Sequence, residues 1–228
     1  MLTPYDWQEG IGNRAQYVEA KLAQGMPVLA LSIPEGVLVV TRRRQPRKVF
    51  EVYDRLLMAA IGQQSDVESL RLAAIDFAHQ EGFNRSEDDV TLQRVVTALS
   101  SPVKRAFADF SSVPVVARTL FAEVGDTPED DRYALLDYDG DFRTRGKWAY
   151  IAGGEDVKVA LHDQMGALVV DGLNLKRAIE ALDTIWEACV SHELRPDGLL
   201  PEVALLERGD RHVNRYRVLD EPAPLVTD

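Results

Sequence analysis

Apolar residues recur along the chain in two rhythms. Over residues 12–24, Ala15, Val18 and Leu22 fall three and four apart, the spacing of one helix face, and Gly25 and Pro27 stop the pattern. Residues 28–31 and 37–40 are short runs, apolar at every position, separated by the turn chemistry of Ile33-Pro-Glu-Gly36. Such unbroken runs predict strands covered on both faces. Two further strands are expected over 48–53 and 56–61. Gly62 then breaks the pattern, and Ser65-Asp-Val-Glu68 reads as a capping box opening a helix with Val67, Leu70, Ala74, Phe77 and Ala78 on its apolar stripe and Gly82 at its end. Ser86-Glu-Asp-Asp89 opens the next helix in the same way. Its buried face is Val96, Leu99, Val103, Phe107 and Phe110, and Pro102 is expected to kink or break it.

Strands return over 114–124, 132–139 and 147–152. Gly153-Gly154 turn the chain into a helix whose first turn carries Glu155 and Asp156, placed for the helix dipole, and which ends at Asp171-Gly172. Asn174 caps another helix bearing Ala178, Leu182, Ile185 and Trp186. The last strands fall over 202–206 and 214–219, and the patternless 220–228 is a loose tail. Two helix pairs set between strand groups predict helices layered on stacked sheets. With no Pro/Gly/Ser linker and no repeat, the chain reads as a leading segment 1–11, one domain over 12–219, and the tail.

Composition narrows the function classes. The 228 residues are 46% hydrophobic and 28% charged, enough for a large core. The 26 Lys and Arg against 37 Asp and Glu give a net charge of -11, which opposes a general nucleic-acid binder. No apolar run reaches the ~18–20 residues of a membrane span, and Met1 to Gly10 lack a signal-peptide core, so a cytoplasmic chain is expected. The single Cys189 builds no zinc cage and sits in a helical pattern as a small apolar residue. His79, His162, His192 and His212 are scattered without metal spacing. No metal and no cofactor are called for. Gly153-Gly154 lack the lysine-serine of a phosphate loop, Asp137-Tyr-Asp-Gly140 fits a hairpin turn better than a calcium loop, and Glu129-Asp-Asp131 fits a solvated loop. Five cations crowd Arg42 to Lys48. The run is short and has no interleaved aromatics, so a solvated hairpin loop fits it better than a nucleic-acid patch.

The order of elements, with Lys48-Val-Phe-Glu-Val-Tyr-Asp-Arg55, Ala59-Ala-Ile-Gly62, Leu70-Arg-Leu-Ala-Ala-Ile-Asp-Phe-Ala78, Asp89-Val-Thr91, Gly36-Val-Leu-Val-Val40 and Ile151-Ala-Gly-Gly154, resembles the proteasome alpha subunits, the bacterial ones most closely. The resemblance spans about residues 12–218. It implies an α+β fold, the four-layer αββα sandwich of N-terminal nucleophile hydrolases, and a seven-membered ring of identical chains. In proteolytic beta subunits of this fold the first strand begins with a nucleophilic Thr. Here that junction is Gln24-Gly-Met-Pro-Val-Leu29, and Arg42 stands where the acidic partner belongs. Of the usual trio only Lys48 remains, and Thr3 lies in the wrong strand context. No catalytic residue is expected.

The leading helix is an alpha-type feature, and Tyr17 falls on the family's helix tyrosine. Pro4, Tyr5 and Asp6 resemble the segment that orders the gate, with Trp7 where archaeal relatives carry Arg. The resemblance also implies that Lys48 lines a pocket for the C-terminal carboxylate of an activator's tail, with Gly62 as close-approaching backbone, and that the partners are a beta subunit and an ATP-dependent ring unfoldase. Two other readings remain: a self-compartmentalising hydrolase with its own nucleophile, and an alpha-like scaffold without a beta partner.

Overall fold

A computed structural model describes residues 4–170, 172–209 and 214–219. Helix α1 (Pro4–Leu22) leads into strands β1 (Val28–Ile33), β2 (Gly36–Arg43), β3 (Val49–Tyr53) and β4 (Leu56–Gly62). Helices α2 (Gln64–Asn84) and α3 (Leu92–Ala108) follow, then β5 (Ala117–Glu123), β6 (Arg132–Leu136), β7 (Phe142–Arg145) and β8 (Trp148–Ile151). Helices α4 (Glu155–Ala167) and α5 (Leu175–Cys189) and strands β9 (Leu200–Glu207) and β10 (Tyr216–Val218) complete the described chain. The expected element order holds, with β7 added after the turn at Gly140.

The strands form two five-stranded antiparallel sheets, ordered β10-β9-β2-β1-β8 and β3-β4-β5-β6-β7. Alternation along each strand distributes its side chains between two apolar layers. In β1, Val28 and Ala30 join the layer between the sheets, while Leu29, Leu31 and Ile33 face α4 and α5 with Leu161, Leu182 and Trp186. In β4, Leu57, Ala59 and Ile61 face the other sheet, while Met58 and Ala60 face α2 and α3 with Ala74, Val96 and Leu99. The result is the expected four-layer αββα sandwich. The unbroken apolar runs arise because both faces of each central strand are buried.

Several boundaries depart from the sequence reading, each for a tertiary reason. Helix α1 begins at Pro4, eight residues before Gly12. Its first turns lie on the segment after α3: the Trp7 and Phe110 rings meet edge to face at 4.9 Å, and Arg14 donates to the Ser112 and Ala106 carbonyls at 2.9 and 3.0 Å. Phe110 therefore packs against α1 and lies beyond the end of α3. Ser65 is no cap. It is the second residue of α2, and the helix start is held by the residue just before β5: Gln63 N–H donates to the Val116 carbonyl, and the Asp66 carboxylate accepts the Val116 N–H, both at 2.8 Å. The Ser86 stretch forms a 3-10 turn over Glu87–Asp89, and α3 starts only at Leu92, whose N–H is taken by Glu123 from β5 at 3.0 Å.

Pro102 sits inside α3 without ending it. Gly82 lies within α2, where an added Cβ would meet the Tyr53 hydroxyl at 2.3 Å. Helix α4 stops at Ala167, before Asp171-Gly172. The Asn174 cap is present, accepting the Arg177 N–H at 3.0 Å. Thr3 and residues 220–228 lie outside the described residues.

A buried guanidinium fastens α1 to both sheets. Arg118 of β5 reaches Glu19 of α1 at 2.7 Å, Asp137 beyond β6 at 3.0 Å, and the Ala152 carbonyl beyond β8 at 2.8 Å. The two carboxylates hold its pKa up against the opposing effect of burial. Because both carboxylates are partly solvated, the loss on removing the arginine is discounted from that of a fully buried pair. Arg118→Ala is expected to cost about 2 kcal/mol in urea unfolding and to speed amide exchange in the last two turns of α1; unchanged exchange there would contradict this role.

Candidate functional site

Five elements meet at the end of the sandwich where α1 runs out: the last turn of α1, the start of β1, the β2–β3 loop, the end of β4 and the start of α2. Between them lies a cavity of about 380 Å³ lined by Lys21, Met26, Arg44, Arg47, Lys48 and Gly62, among others. Lys48 and Gly62 come together through strand pairing. Val49 sits opposite Ala59, and the Ala60 N–H donates to the Lys48 carbonyl at 3.0 Å, so Gly62 lies two residues further along β4.

Gly62 is glycine for a reason internal to the chain. Its φ is +140°, and a Cβ there would lie 2.1 Å from the Val116 carbonyl oxygen across the β4–β5 pairing. The close approach inferred from the sequence is thus an approach of β5, and it leaves the peptide at the cavity edge without a side chain over it.

The pocket's organiser is a residue that the sequence did not single out. Glu202, in β9, is fully buried. Its carboxylate accepts the backbone N–H of Lys48 at 3.0 and 3.1 Å and of Val49 at 3.2 Å, with Arg43 Nε and Arg47 Nη1 each 3.9 Å away. Burial raises its pKa, opposed by the two backbone donors and the two arginines. Register places it: Thr41 of β2 pairs with Val28 on one side and Glu202 on the other. No local signal marks this carboxylate, which in sequence is merely the polar start of an apolar strand.

Because the backbone N–H groups occupy Glu202, the Lys48 ammonium turns elsewhere. Its Nζ donates to the Met26 carbonyl at 2.9 Å. Burial lowers its pKa to about 8, only partly offset by Glu202. Arg42, read as a solvated loop residue, is instead an anchor. It lies over the Trp186 ring and donates to Asp183 at 2.6 Å, with Glu187 at 3.6 Å. Met26 and Pro27 precede β1. The nearby Thr41 hydroxyl is buried and donates to the Pro27 carbonyl at 2.6 Å. Among the described residues no group of three or more His, Cys, Asp and Glu side chains could hold a metal ion, and no helix is long and apolar enough to cross a membrane.

The other singled-out residues lie along α1. Tyr17 is exposed one turn before Lys21, whose Nζ stands 5.7 Å from its ring, so it borders the pocket. Pro4, Tyr5 and Asp6 form the opposite end of the helix, about 18 Å from Tyr17 at 1.5 Å per residue. Tyr5 is 83% exposed, and Asp6 carries negative charge in the first turn. The structure therefore joins Lys48 and Gly62 around one pocket, leaves Tyr17 outside its lining beside Lys21, and sets Pro4, Tyr5 and Asp6 apart from it on the same helix.

Curated relatives match this chain over nearly its whole length. It is 32% identical over 209 residues to the proteasome subunit alpha of Streptosporangium roseum, covering 90% of this chain and 78% of that one. It is 30% identical over 217 residues to that of Kineococcus radiotolerans, covering 92% and 90%. The chain belongs to the proteasome alpha-subunit family. The same subunit of Acidothermus cellulolyticus is 29% identical over 209 residues, covering 90% and 88%. No family model matches the chain. Family membership agrees with the resemblance read from the segments around Lys48, Gly62 and Leu70, and it identifies the four-layer sandwich as the proteasome fold.

The lowered pKa of Lys48 has a consequence for this family member's stability. Below pH 8 the native state bears the cost of holding an ammonium in that site, about 3 kcal/mol for a shift from 10.5 to about 8. From pH 8 to 10.5 the unfolded chain binds the extra proton, so this cost fades and stability rises with pH. Lys48→Met is expected to be more stable than wild type at pH 7 and to lose this advantage by pH 10.5. An equal stability difference at both pH values would contradict the assignment.

Proposed function

We propose that this chain is the non-catalytic alpha-type subunit of a bacterial proteasome core, forming a seven-membered outer ring that gates substrate access to a beta-type ring and docks activator tails. The observation that carries the reading is the joining of the Lys48 ammonium, the bare Gly62 peptide and the cations Lys21, Arg44 and Arg47 around one cavity. Such a site suits a single carboxylate: a point cation neutralises it, and exchanging the Met26 carbonyl for a charged acceptor strengthens the Lys48 hydrogen bond. An ATP-driven ring unfoldase that presents C-terminal tails is the corresponding partner.

The start of β1 supports a subunit that does not itself cleave peptides. An N-terminal nucleophile mechanism needs a hydroxyl or thiol at that point beside a base. Here Pro27 precedes Val28, Thr41 is buried against the Pro27 carbonyl, Arg42 is engaged by Asp183, and Lys48 is engaged by Met26.

Helix α1 is the natural transmission element. Lys21 at its last turn lines the pocket, and Pro4, Tyr5 and Asp6 at its first turn are the gate residues. A tail that binds the open arrangement more tightly shifts the population toward it. The shift must slide Trp7 across Phe110, because that ring pair seats the helix's first turns.

Lys48→Ala removes the charge-assisted bond and is expected to weaken binding of a fluorescent activator-tail peptide at least tenfold, matching about 1.5–3 kcal/mol. Activator-stimulated degradation by the assembled core should fall with it, while the sedimentation of the assembly stays the same. Stimulation that survives the substitution would overturn the pocket assignment.

A further inference from the structure

The arrangement around Lys48 also bears on its reactivity as an amine. A lysine becomes a nucleophile when it is held neutral near physiological pH and faces space large enough for an electrophile. Burial lowers the Lys48 pKa to about 8, and the pocket geometry supplies the rest. Lys48 Nζ is hydrogen-bonded to a neutral carbonyl, that of Met26. The carboxylate that would otherwise neutralise it, Glu202, is turned to the Lys48 and Val49 backbone N–H groups. The cavity that Lys48 lines, about 380 Å³, also carries Lys21, Arg44 and Arg47, cations that attract an anion.

We propose that Lys48 is a site of acylation by small acyl phosphates, the pocket's cations holding the phosphate while the amine takes the acyl group. In the reaction the neutral Nζ lone pair attacks the acyl carbon. A carbon–nitrogen bond forms, the carbon–oxygen bond to phosphate breaks, and inorganic phosphate leaves with the electron pair and accepts the proton lost by the amine. The product is a neutral amide on Lys48, and no oxidant or reductant takes part. The charged groups facing the amine are Lys21 from α1, Arg42 from β2, Arg44 and Arg47 from the loop, Glu68 from α2 and Glu202 from β9. Arg42 and Glu68 are committed to Asp183 and Arg71, and Arg47 lies 3.9 Å from Glu202, which leaves Lys21 and Arg44 to meet an anion.

Acylation would also cancel the cation on which tail docking depends. Only that consequence rests on the proposed function; the modification stands on the pocket's own chemistry.

The test uses the full chain in its native assembly with acetyl phosphate as the probe, reading acetyl occupancy at each lysine by peptide mass spectrometry. At pH 7.5 an amine of pKa about 8 is roughly a quarter neutral, against about one part in a thousand for an ordinary lysine. Lys48 is therefore expected to acetylate at least tenfold faster than exposed Lys104 and Lys176, even after allowance for its weaker basicity. Inorganic phosphate should slow Lys48 and spare the other two. Arg44→Gln, at an exposed position, should slow Lys48 toward acetyl phosphate but not toward the neutral donor N-acetylimidazole. Acetylation of Lys48 no faster than of Lys104 and Lys176 would overturn the proposal, and so would indifference to both phosphate and Arg44→Gln. Loss of tail-peptide binding by the acetylated pool is read separately, so a failure of the docking reading is distinguishable from a failure of the chemistry.

Discussion

One buried carboxylate organises the functional end of this molecule. Glu202 sits fully buried at the start of β9, where an ionised group survives only if it is richly hydrogen-bonded. It takes the backbone N–H groups of Lys48 and Val49, and the arginines of the β2–β3 loop close around it. That choice of partners fixes where the loop ends and β3 begins. It also leaves the Lys48 side chain to cross the cavity to Met26. A chain with net charge -11 thereby keeps a concentrated cationic pocket on one face. The proposed carboxylate docking and the proposed amine reactivity draw on the same arrangement, since both need a lysine that is held in place without a carboxylate of its own.

The second constraint is the seating of α1. Arg118 pins Glu19 near the helix's C-terminal end, close to the pocket, and Trp7, Phe110 and Arg14 seat its N-terminal half. The two attachments differ in kind. The first is a buried guanidinium with several acceptors, and the second is a partly exposed aromatic contact with two hydrogen bonds, to a carbonyl in the last turn of α3 and one just beyond it. In a lever reading of the gate, the firm attachment acts as pivot and the softer one yields.

The αββα layering was legible because the central strands are apolar at every position, a pattern only two-faced burial explains. Lys48 and Gly62 were pointed to by the family resemblance alone, and the β3–β4 pairing then brings them together at the open end of that hairpin. What stayed hidden was whatever depended on distant pairing. Glu202 reaches Lys48 only after β9 has paired with β2. The start of α2 looked like a capping box because Ser65 and Glu68 have the right spacing, yet Val116, just before β5, supplies and receives the bonds that hold it. Residues 4–11 were set apart as a leading segment because the contact that seats them, Trp7 with Phe110, joins parts of the chain about a hundred residues apart. Pro102 looked like a breaker because a proline inside a helix loses one hydrogen bond, a loss that the buried face of Val95, Val96, Leu99, Val103 and Phe107 offsets.

The proposed gate and docking roles require this chain to assemble with copies of itself and with a beta-type subunit. Native mass spectrometry of the purified chain, alone and mixed with a beta-type proteasome subunit from the same organism, tests this requirement most directly. A species at seven times the 25.4 kDa chain mass is expected, or a larger complex containing both chains when the beta-type subunit is present. A monomer under both conditions would leave the fold and the family standing and would contradict the ring, the gate and the docking role together.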